Sequence, residues 1–176
     1  MAGREPAPGG GAVAAVTLAS AAALVAMAAR LSPEMEGAEP VIARADLLRS
    51  EALALADEDA RAYTAVLEAY RRPRDDDRPA AIRAALEEAA DVPLAVVEYA
   101  REVGELGLRV RREGNPNLQG DAATAVLVAD GAARSAAHLI ALNEALGGLG
   151  TSRTHLSAAW CSELGGMAAT VTEEQP

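Results

Sequence analysis

The chain has 176 residues, of which 51% are hydrophobic and 2% aromatic, and its formal net charge is −10. This length and composition are typical of one folded domain and exclude a disordered chain. All 16 basic residues are arginines spread among 26 acids, so the surface repels polyanions and nucleic-acid binding is not expected. Cys161 is the single cysteine, so no disulfide can form within this sequence, and a cytoplasmic location is expected.

The apolar residues are mostly Ala, Leu and Val at helical spacing, and Phe is absent. This pattern predicts an all-α fold, a multi-helix bundle of about five to six helices that forms a single domain over residues 1–176. Residues 1–7 and 170–176 are expected to be flexible ends of that domain.

Residues 11–29 contain no charged side chain, so a membrane span or a signal segment has to be considered for them. Alanine contributes little to membrane insertion, the preceding segment has Arg4 beside Glu5 rather than a basic run, and Pro8 with three glycines interrupts the chain. We therefore predict a buried central helix and no membrane partner, since small residues on every side let neighbouring helices approach closely.

A second helix is predicted over residues 41–70, where Gly and Pro are absent. At about 100° per residue, Asp59 falls in the middle of an apolar stripe, whereas Asp57 points to the opposite, polar side. An ionised carboxylate on an apolar face is costly without a partner, so Asp59 is either a core residue satisfied by an arginine or a helix end, or a functional group. The stripe consists of Leu48, Ala52, Leu55, Tyr63, Val66 and Tyr70.

Residues 71–79 mix arginines and aspartates with two prolines, which predicts a helix end followed by a helix start with Asp77 as N-cap. These arginines either hold an anion or form a self-neutralising surface loop.

Helices are then predicted over residues 80–90 and 94–112, with a kink or break at Pro93 between them. After a turn at residues 114–117, Asp121 is expected to start a helix over residues 122–146, and a last helix covers residues 152–167. The helix over residues 122–146 has an apolar face made of Val128, Ala132, Ser135, Leu139, Leu142 and Leu146.

Few side chains in this sequence can move protons at neutral pH. Lysine is absent and arginine remains charged, so the candidates are the carboxylates, His138, His155, Cys161 and three tyrosines. Neither histidine has a partner at metal-binding spacing, so no metal site is predicted. A mechanism based on a carboxylate is the default expectation.

Six segments, taken in order, resemble the formiminotetrahydrofolate cyclodeaminase and methenyltetrahydrofolate cyclohydrolase family, and together they span most of the chain. The resemblance implies an all-helical homodimer or higher oligomer that acts on a tetrahydrofolate derivative, with no metal and no cofactor beyond that substrate. Members of the family either close 5-formiminotetrahydrofolate to 5,10-methenyltetrahydrofolate with release of ammonia, or interconvert the 5,10-methenyl and 10-formyl forms with water. The six segments are Pro8 to Ala15, Asp57 to Tyr63, Tyr70 to Arg74, Val92 to Leu94, Gly114 to Asn117, and Asn143.

The resemblance assigns catalysis to Asp59, the aspartate of the family's Asp-Ala-x-Ala-aromatic signature, because a partly desolvated carboxylate can shuttle protons between ring nitrogen and leaving amine. Tyr63 and Tyr70 are expected to stack on a pterin or to fill the core, and Arg71 and Arg74 to hold the glutamate tail. The other substrate-binding candidates are Gly9, Gly10, Gly11, Asp57, Asn115, Asn117, Asp121 and Asn143, the last four of which a turn, a helix cap and a packing amide explain as well.

Departures from the family pattern leave a second class of function open. Arg74 replaces a usual lysine, and Ala12 and Gly120 replace frequent serines, so one deprotonable amine and two hydroxyls are lost. Family members usually carry a helix before the glycine turn, so we expect either a start upstream of Met1 or a truncated member. The alternative to a folate-dependent enzyme is a catalytically degenerate bundle that binds folate or serves as a scaffold.

Overall fold

The computed structural model describes residues 7–173, which form five α-helices and one short 3₁₀ helix. The all-α bundle of five to six helices that the sequence predicts is therefore confirmed. Of the two ends expected to be flexible, residues 1–6 and 174–176 lie outside the described residues, while residues 170–173 continue the last helix. The helices are α1 (Gly10–Arg30), α2 (Ala38–Arg71), α3 (Arg78–Glu113), α4 (Gln119–Gly147) and α5 (Ser152–Glu173), and the 3₁₀ helix is Pro116–Leu118.

The core of the bundle forms around α1, which packs against α2, α3 and α4, whereas α5 packs on α3 and α4. Ala15, Leu18, Ala22 and Val25 of α1 are fully buried, because small side chains on every side admit three neighbouring helices. By length and composition α1 is one of two helical segments within residues 7–173 that are apolar enough to cross a membrane, and 61% of its apolar window is buried inside the bundle. The prediction of a buried central helix is confirmed.

The predicted stripe of α2 changes its surroundings halfway along the helix. Leu48, Leu55 and Val66 are buried as expected, but the rings of Tyr63 and Tyr70 remain 43% and 41% exposed. The change follows from the start of α1, which reaches only to the level of Asp59 and leaves Tyr63 and Tyr70 uncovered, whereas Val66 packs against Leu86 and Ala89 of α3. The two tyrosines therefore do not fill the core.

Of the kink or break expected at Pro93, the break is wrong, because α3 continues through this proline as one helix of 36 residues. Pro93 has no N–H, so the carbonyl of Ala89 loses the bond that position 93 would donate in a regular helix. The Nδ2 group of Asn143 in α4 donates to this carbonyl instead, at 2.9 Å. A side chain from another helix thus replaces the missing backbone donor, which the sequence of α3 alone does not reveal.

The helix starts differ in detail from their predicted caps. Asp77 is the N-cap of α3 as predicted, yet its side chain makes no capping bond, and Oδ1 of Asp75 accepts from the N–H of Arg78 at 3.0 Å. The helix α4 begins at Gln119, so Asp121 lies in its first turn rather than at its start.

The start of α5 is capped from another helix. Glu144 of α4 is buried at 2% exposure, and its carboxylate accepts from the N–H of Arg153 and from the hydroxyl of Thr154, the latter at 2.6 Å. A carboxylate near a helix N-terminus is stabilised by the free N–H groups and by the helix dipole. This cap from α4 stabilises the start of α5 at Ser152.

Candidate active site

Asp59 lies directly against the first turn of α1. Its Oδ2 accepts a hydrogen bond from the N–H of Ala12 at 2.9 Å, which joins α2 to the N-terminus of α1. A Cβ atom built on Gly11 would lie only 1.9 Å from Oδ1 of Asp59. The absence of a side chain at Gly11 therefore creates the space that this carboxylate occupies.

The environment of Asp59 favours a proton on its carboxyl group. Burial raises the pKa of Asp59 above the usual aspartate range, and the hydrogen bond from Ala12 opposes that shift only in part. Within the described part of the chain Asp59 makes no ion pair, and its Oδ1 accepts no hydrogen bond. One oxygen thus satisfies a helix end, as the structural interpretation expects, while the other accepts no hydrogen bond from the described residues.

The free side of Asp59 faces a cleft of about 510 Å³ between the start of α1 and helices α2, α3 and α4. Most of its wall is apolar, and Asp59, Asn143 and the two tyrosines of α2 supply the polar groups. A concave apolar site with few polar groups is typical of small-molecule binding. The lining residues are Gly9, Gly10, Gly11, Asp59, Ala62, Tyr63, Val66, Leu67, Tyr70, Leu86, Ala89, Pro93, Leu139, Leu142, Asn143 and Leu146.

A second cavity of about 600 Å³ adjoins the cleft, with Tyr70 lining both. Arg74, Arg78 and Arg83 lie around it. Two of these guanidinium groups bind backbone carbonyls, Arg78 that of Tyr70 at 2.6 Å and Arg83 that of Gly148 at 3.2 Å. Arg74 has no hydrogen bond or ion pair with any described residue, so its charge is available to a ligand.

Several predicted site residues lie elsewhere. Arg71 is exposed and lines neither cavity, and Asp57 is exposed on the outer side of α2, as its helical position predicts. Asn115 donates through Nδ2 to the carbonyl of Leu31 at 3.1 Å, just beyond the C-terminal end of α1. Because α1 has 21 residues, this end is about 30 Å from the cleft. The single chain therefore does not bring Asn115 or its neighbours Asn117 and Asp121 to Asp59.

The apolar face predicted for residues 122–146 supplies one wall of the cleft from α4. Its Leu142 and Leu146 are 45% and 57% exposed, and both line the cleft with Asn143 between them. Periodicity identifies a face of a helix but not whether that face meets another helix or an open cavity. The position of Asn143 on the same face is the one signal that could have indicated a binding wall.

Neither histidine takes part in this site. His138 and His155 are both exposed, and His138 lies in a separate groove between α1 and α4. Within residues 7–173, no group of three or more His, Cys, Asp or Glu side chains is placed to hold a metal ion. The polar groups that the cleft offers to a ligand are a carboxylate, an amide, phenolic side chains and backbone groups.

Residues 1–147 match the family model of the formiminotransferase-cyclodeaminase family. The chain belongs to this family. A methenyltetrahydrofolate cyclohydrolase from Methylorubrum extorquens is 37% identical over 155 residues, which cover 81% of this chain and 74% of that relative. A formimidoyltransferase-cyclodeaminase from Sus scrofa is 36% identical over 107 residues, which are 54% of this chain and 20% of the relative.

The fold is shared with a solved relative. The crystal structure of a formiminotetrahydrofolate cyclodeaminase from Thermotoga maritima matches with a TM-score of 0.83 and 24% identity, covering 98% of this chain and 91% of the other. This match shows a common fold. The family predicted from the six sequence segments is confirmed by the family model and by the relative from Methylorubrum extorquens.

Proposed function

We propose that this chain is a folate-dependent one-carbon enzyme that interconverts 5,10-methenyl- and 10-formyltetrahydrofolate with water. The observation that carries the proposal is Asp59, a half-buried carboxylate with one free oxygen in an apolar cleft. The choice of water over ammonia chemistry is supported by the cyclohydrolase from Methylorubrum extorquens, whose match covers more of this chain than that of the bifunctional relative.

The carboxylate supplies the proton transfers that this reaction needs. In the forward direction water attacks the one-carbon bridge between N5 and N10 while Asp59 removes one of its protons. The bond from that carbon to N5 then breaks as Asp59 returns a proton to N5, and the remaining hydroxyl proton leaves to solvent as the formyl group forms. A raised pKa suits both steps, because the group must accept and release a proton near neutral pH.

The charge of the substrate also fits the site. The methenyl bridge carries a positive charge shared between its two nitrogens, and Asp59 has no positively charged partner among the described residues. Because opposite charges attract strongly in a partly desolvated cleft, an ionised Asp59 stabilises this bridge beside it. Tyr63 and Tyr70 offer half-exposed rings on which the flat pterin can stack, and Asn143 offers a polar group on the opposite wall.

The second cavity is suited to the acidic tail of the substrate. Its Arg74 guanidinium has no partner within the described residues. A planar guanidinium can donate two parallel hydrogen bonds to the two oxygens of one carboxylate. Since Tyr70 borders both cavities, a ligand with its pterin beside Asp59 can extend past this ring toward Arg74. Arg71, which lines neither cavity, is not needed for this arrangement.

We further propose a homodimer in the cytoplasm, with no cofactor beyond the tetrahydrofolate substrate and no nucleic-acid or membrane partner. The outer face of α1 supports a second copy as partner, since Val13, Val16 and Met27 are 36% to 45% exposed on a helix whose residues 11–29 carry no charge. Leu31, just beyond the end of this helix, is 53% exposed. An apolar stripe of this kind is typical of a subunit interface. Sedimentation of a Val16→Glu variant should then show monomers, whereas Leu53→Glu on α2 should leave the dimer intact.

A second candidate is cyclisation of 5-formiminotetrahydrofolate with release of ammonia, which the relative from Sus scrofa favours by its name. The same carboxylate would remove the proton of N10 as it attacks and deliver a proton to the departing amine. Both reactions make or break a bond between the one-carbon unit and nitrogen in the same cleft.

The decisive experiment assays the wild type and Asp59→Asn in parallel with 5,10-methenyltetrahydrofolate and 5-formiminotetrahydrofolate, following methenyl absorbance. Turnover of the first substrate by the wild type alone supports the cyclohydrolase, and turnover of the second supports the cyclodeaminase. A rise in melting temperature with folate but no turnover of either substrate would overturn the enzyme and favour the degenerate binder.

A further inference from the structure

Pro93 and Asn143 meet at one backbone carbonyl in the wall of the cleft. Because Pro93 has no N–H, the carbonyl of Ala89 cannot make the bond that continues the rest of α3. Ala89 is buried at 9% exposure, where an unpaired carbonyl destabilises the fold. The bond of 2.9 Å from Nδ2 of Asn143 satisfies it.

This bond fixes the direction of the Asn143 amide. The nitrogen of an asparagine amide only donates hydrogen bonds and its oxygen only accepts them. Turning the amide over would place Oδ1 against the Ala89 carbonyl, so that two acceptors would face each other. Oδ1 is therefore held away from the Ala89 carbonyl, and it accepts no hydrogen bond from the described residues. Asn143, Ala89 and Pro93 all line the cleft, so this oxygen is an acceptor for whatever binds there.

We propose that Pro93 is a positioning residue: it leaves the Ala89 carbonyl free to hold Asn143 as a fixed hydrogen-bond acceptor, which selects ligands with an N–H group at this wall. For the identity of the ligand this step rests on the proposed function, since the amino and ring N–H groups of a pterin are donors of that kind. An alanine at position 93 would return an N–H to the Ala89 carbonyl. The carbonyl would then have a backbone donor of its own, so its bond to the Asn143 amide would weaken and would no longer hold the Asn143 oxygen in one position.

The first test needs no ligand. Asn143→Leu leaves the Ala89 carbonyl without a donor and should lower the melting temperature. Adding Pro93→Ala to that variant should restore the melting temperature, because the new N–H takes over the bond. Pro33→Ala, at an exposed proline between α1 and α2, is the matched control and should give no such rescue. If Pro93→Ala and Pro33→Ala changed the melting temperature of the Asn143→Leu variant equally, the proposed link between Pro93 and the Asn143–Ala89 bond would be overturned.

The second test measures recognition. In an otherwise wild-type chain, Pro93→Ala should raise KM for 5,10-methenyltetrahydrofolate about fivefold, the worth of one hydrogen bond, with kcat nearly unchanged and the melting temperature equal or higher. In the Asn143→Leu background the same change should not raise KM further. A wild-type KM in Pro93→Ala would refute the positioning role, since a merely structural proline moves the melting temperature alone. Failure of the wild type to turn over any folate would contradict the proposed function, while the thermal rescue still decides whether Pro93 governs Asn143.

Discussion

The carboxylate of Asp59 occupies the space in which a side chain on Gly11 would lie, with Oδ1 only 1.9 Å from the position of the missing Cβ. The two residues are 48 positions apart, so helix α2 must dock against the first turn of α1 before the site exists. A glycine at this position is thus a requirement of the carboxylate and not of the helix, in which alanine is the better residue.

Gly11→Ala should displace the Asp59 carboxylate and impair both folding stability and turnover. The new methyl group would overlap Oδ1, and overpacking of this kind typically costs about 1–3 kcal/mol of unfolding free energy. Gly10→Ala is a close control, because a Cβ there would lie 3.9 Å from Leu139, an ordinary contact. Denaturant unfolding of both variants checks the difference, and equal stabilities would contradict the close packing of Asp59 on α1.

Asp59→Asn should lower kcat by about 100- to 10,000-fold, since an amide cannot exchange the protons that the reaction moves. Its amide oxygen can still accept from the N–H of Ala12, so the variant should fold. Glu58→Gln is the matched control, because Glu58 directly precedes Asp59 on α2, is exposed and does not line the cleft. Steady-state assays of both variants test this, and comparable losses in the two would remove the special role of Asp59.

The stability gap between Asp59→Asn and the wild type should depend on pH with a defined sign. Burial raises the pKa of Asp59 in the folded protein above its unfolded value, so ionisation of this group at neutral pH weakens the fold. This loss of unfolding free energy disappears as the pH falls below the raised pKa toward the ordinary aspartate pKa of about 4, because the carboxyl group is then protonated. Asp59→Asn should therefore melt at least as high as the wild type at pH 7, with the gap shrinking on acidification. Calorimetry across this range would refute the raised pKa if the gap widened.

The acid limb of the activity profile should report the same group. If ionised Asp59 removes the proton from water, kcat/KM in the hydrolytic direction should fall on acidification with a midpoint above the ordinary aspartate pKa of about 4. A profile that stays flat down to pH 4 would assign the base to another residue.

Arg74→Gln should weaken binding of substrates that carry several glutamates more than binding of those with one. The guanidinium lies beside the second cavity without a described partner, so its loss removes an attraction for carboxylates and little else. Arg72→Gln, at an exposed arginine that lines neither cavity, provides the control. Competition binding at two salt concentrations checks the effect, which should weaken as salt screens the charge. Equal affinities of Arg74→Gln and Arg72→Gln for the longer substrate would place the tail elsewhere.

Tyr63→Leu should raise KM, while Tyr63→Phe should leave it close to the wild-type value. The ring is 43% exposed and borders the cleft, so its flat face and not its hydroxyl group is what a pterin would use. Steady-state kinetics of the pair separate stacking from hydrogen bonding. A larger rise in KM for Tyr63→Phe than for Tyr63→Leu would show that the hydroxyl group, and not the face of the ring, binds the substrate.

Helix content and the central place of α1 followed from the sequence because both depend on local composition and periodicity. Asp59 was found as a carboxylate on an apolar stripe, and its family signature pointed to the same residue. The tyrosines of that stripe were harder to place, since periodicity gives a face of a helix but not the length of the helix that covers it. The structure decides the point, because α1 begins at Gly10 and leaves Tyr63 and Tyr70 uncovered.

Features that depend on contacts between distant segments could not be predicted. From the sequence of α3 alone, Pro93 predicts a kink or break in the helix. The structure shows that Asn143, fifty positions later, donates to the carbonyl that Pro93 leaves without a partner. Asn115 and Asn143 were both candidates for substrate binding, yet the bundle carries the first to one end of α1 and the second to the other. Only the packing of the helices shows which of the two amides reaches the cleft.

The single bond from the N–H of Ala12 to Asp59 spans 47 residues and makes one backbone amide a reporter of the whole site. The first N–H groups of a helix have no partner of their own, so this one exchanges with solvent until α2 is in place. Hydrogen exchange at Ala12 therefore measures how often the cleft comes apart in the native protein, at a proton that belongs to no catalytic side chain.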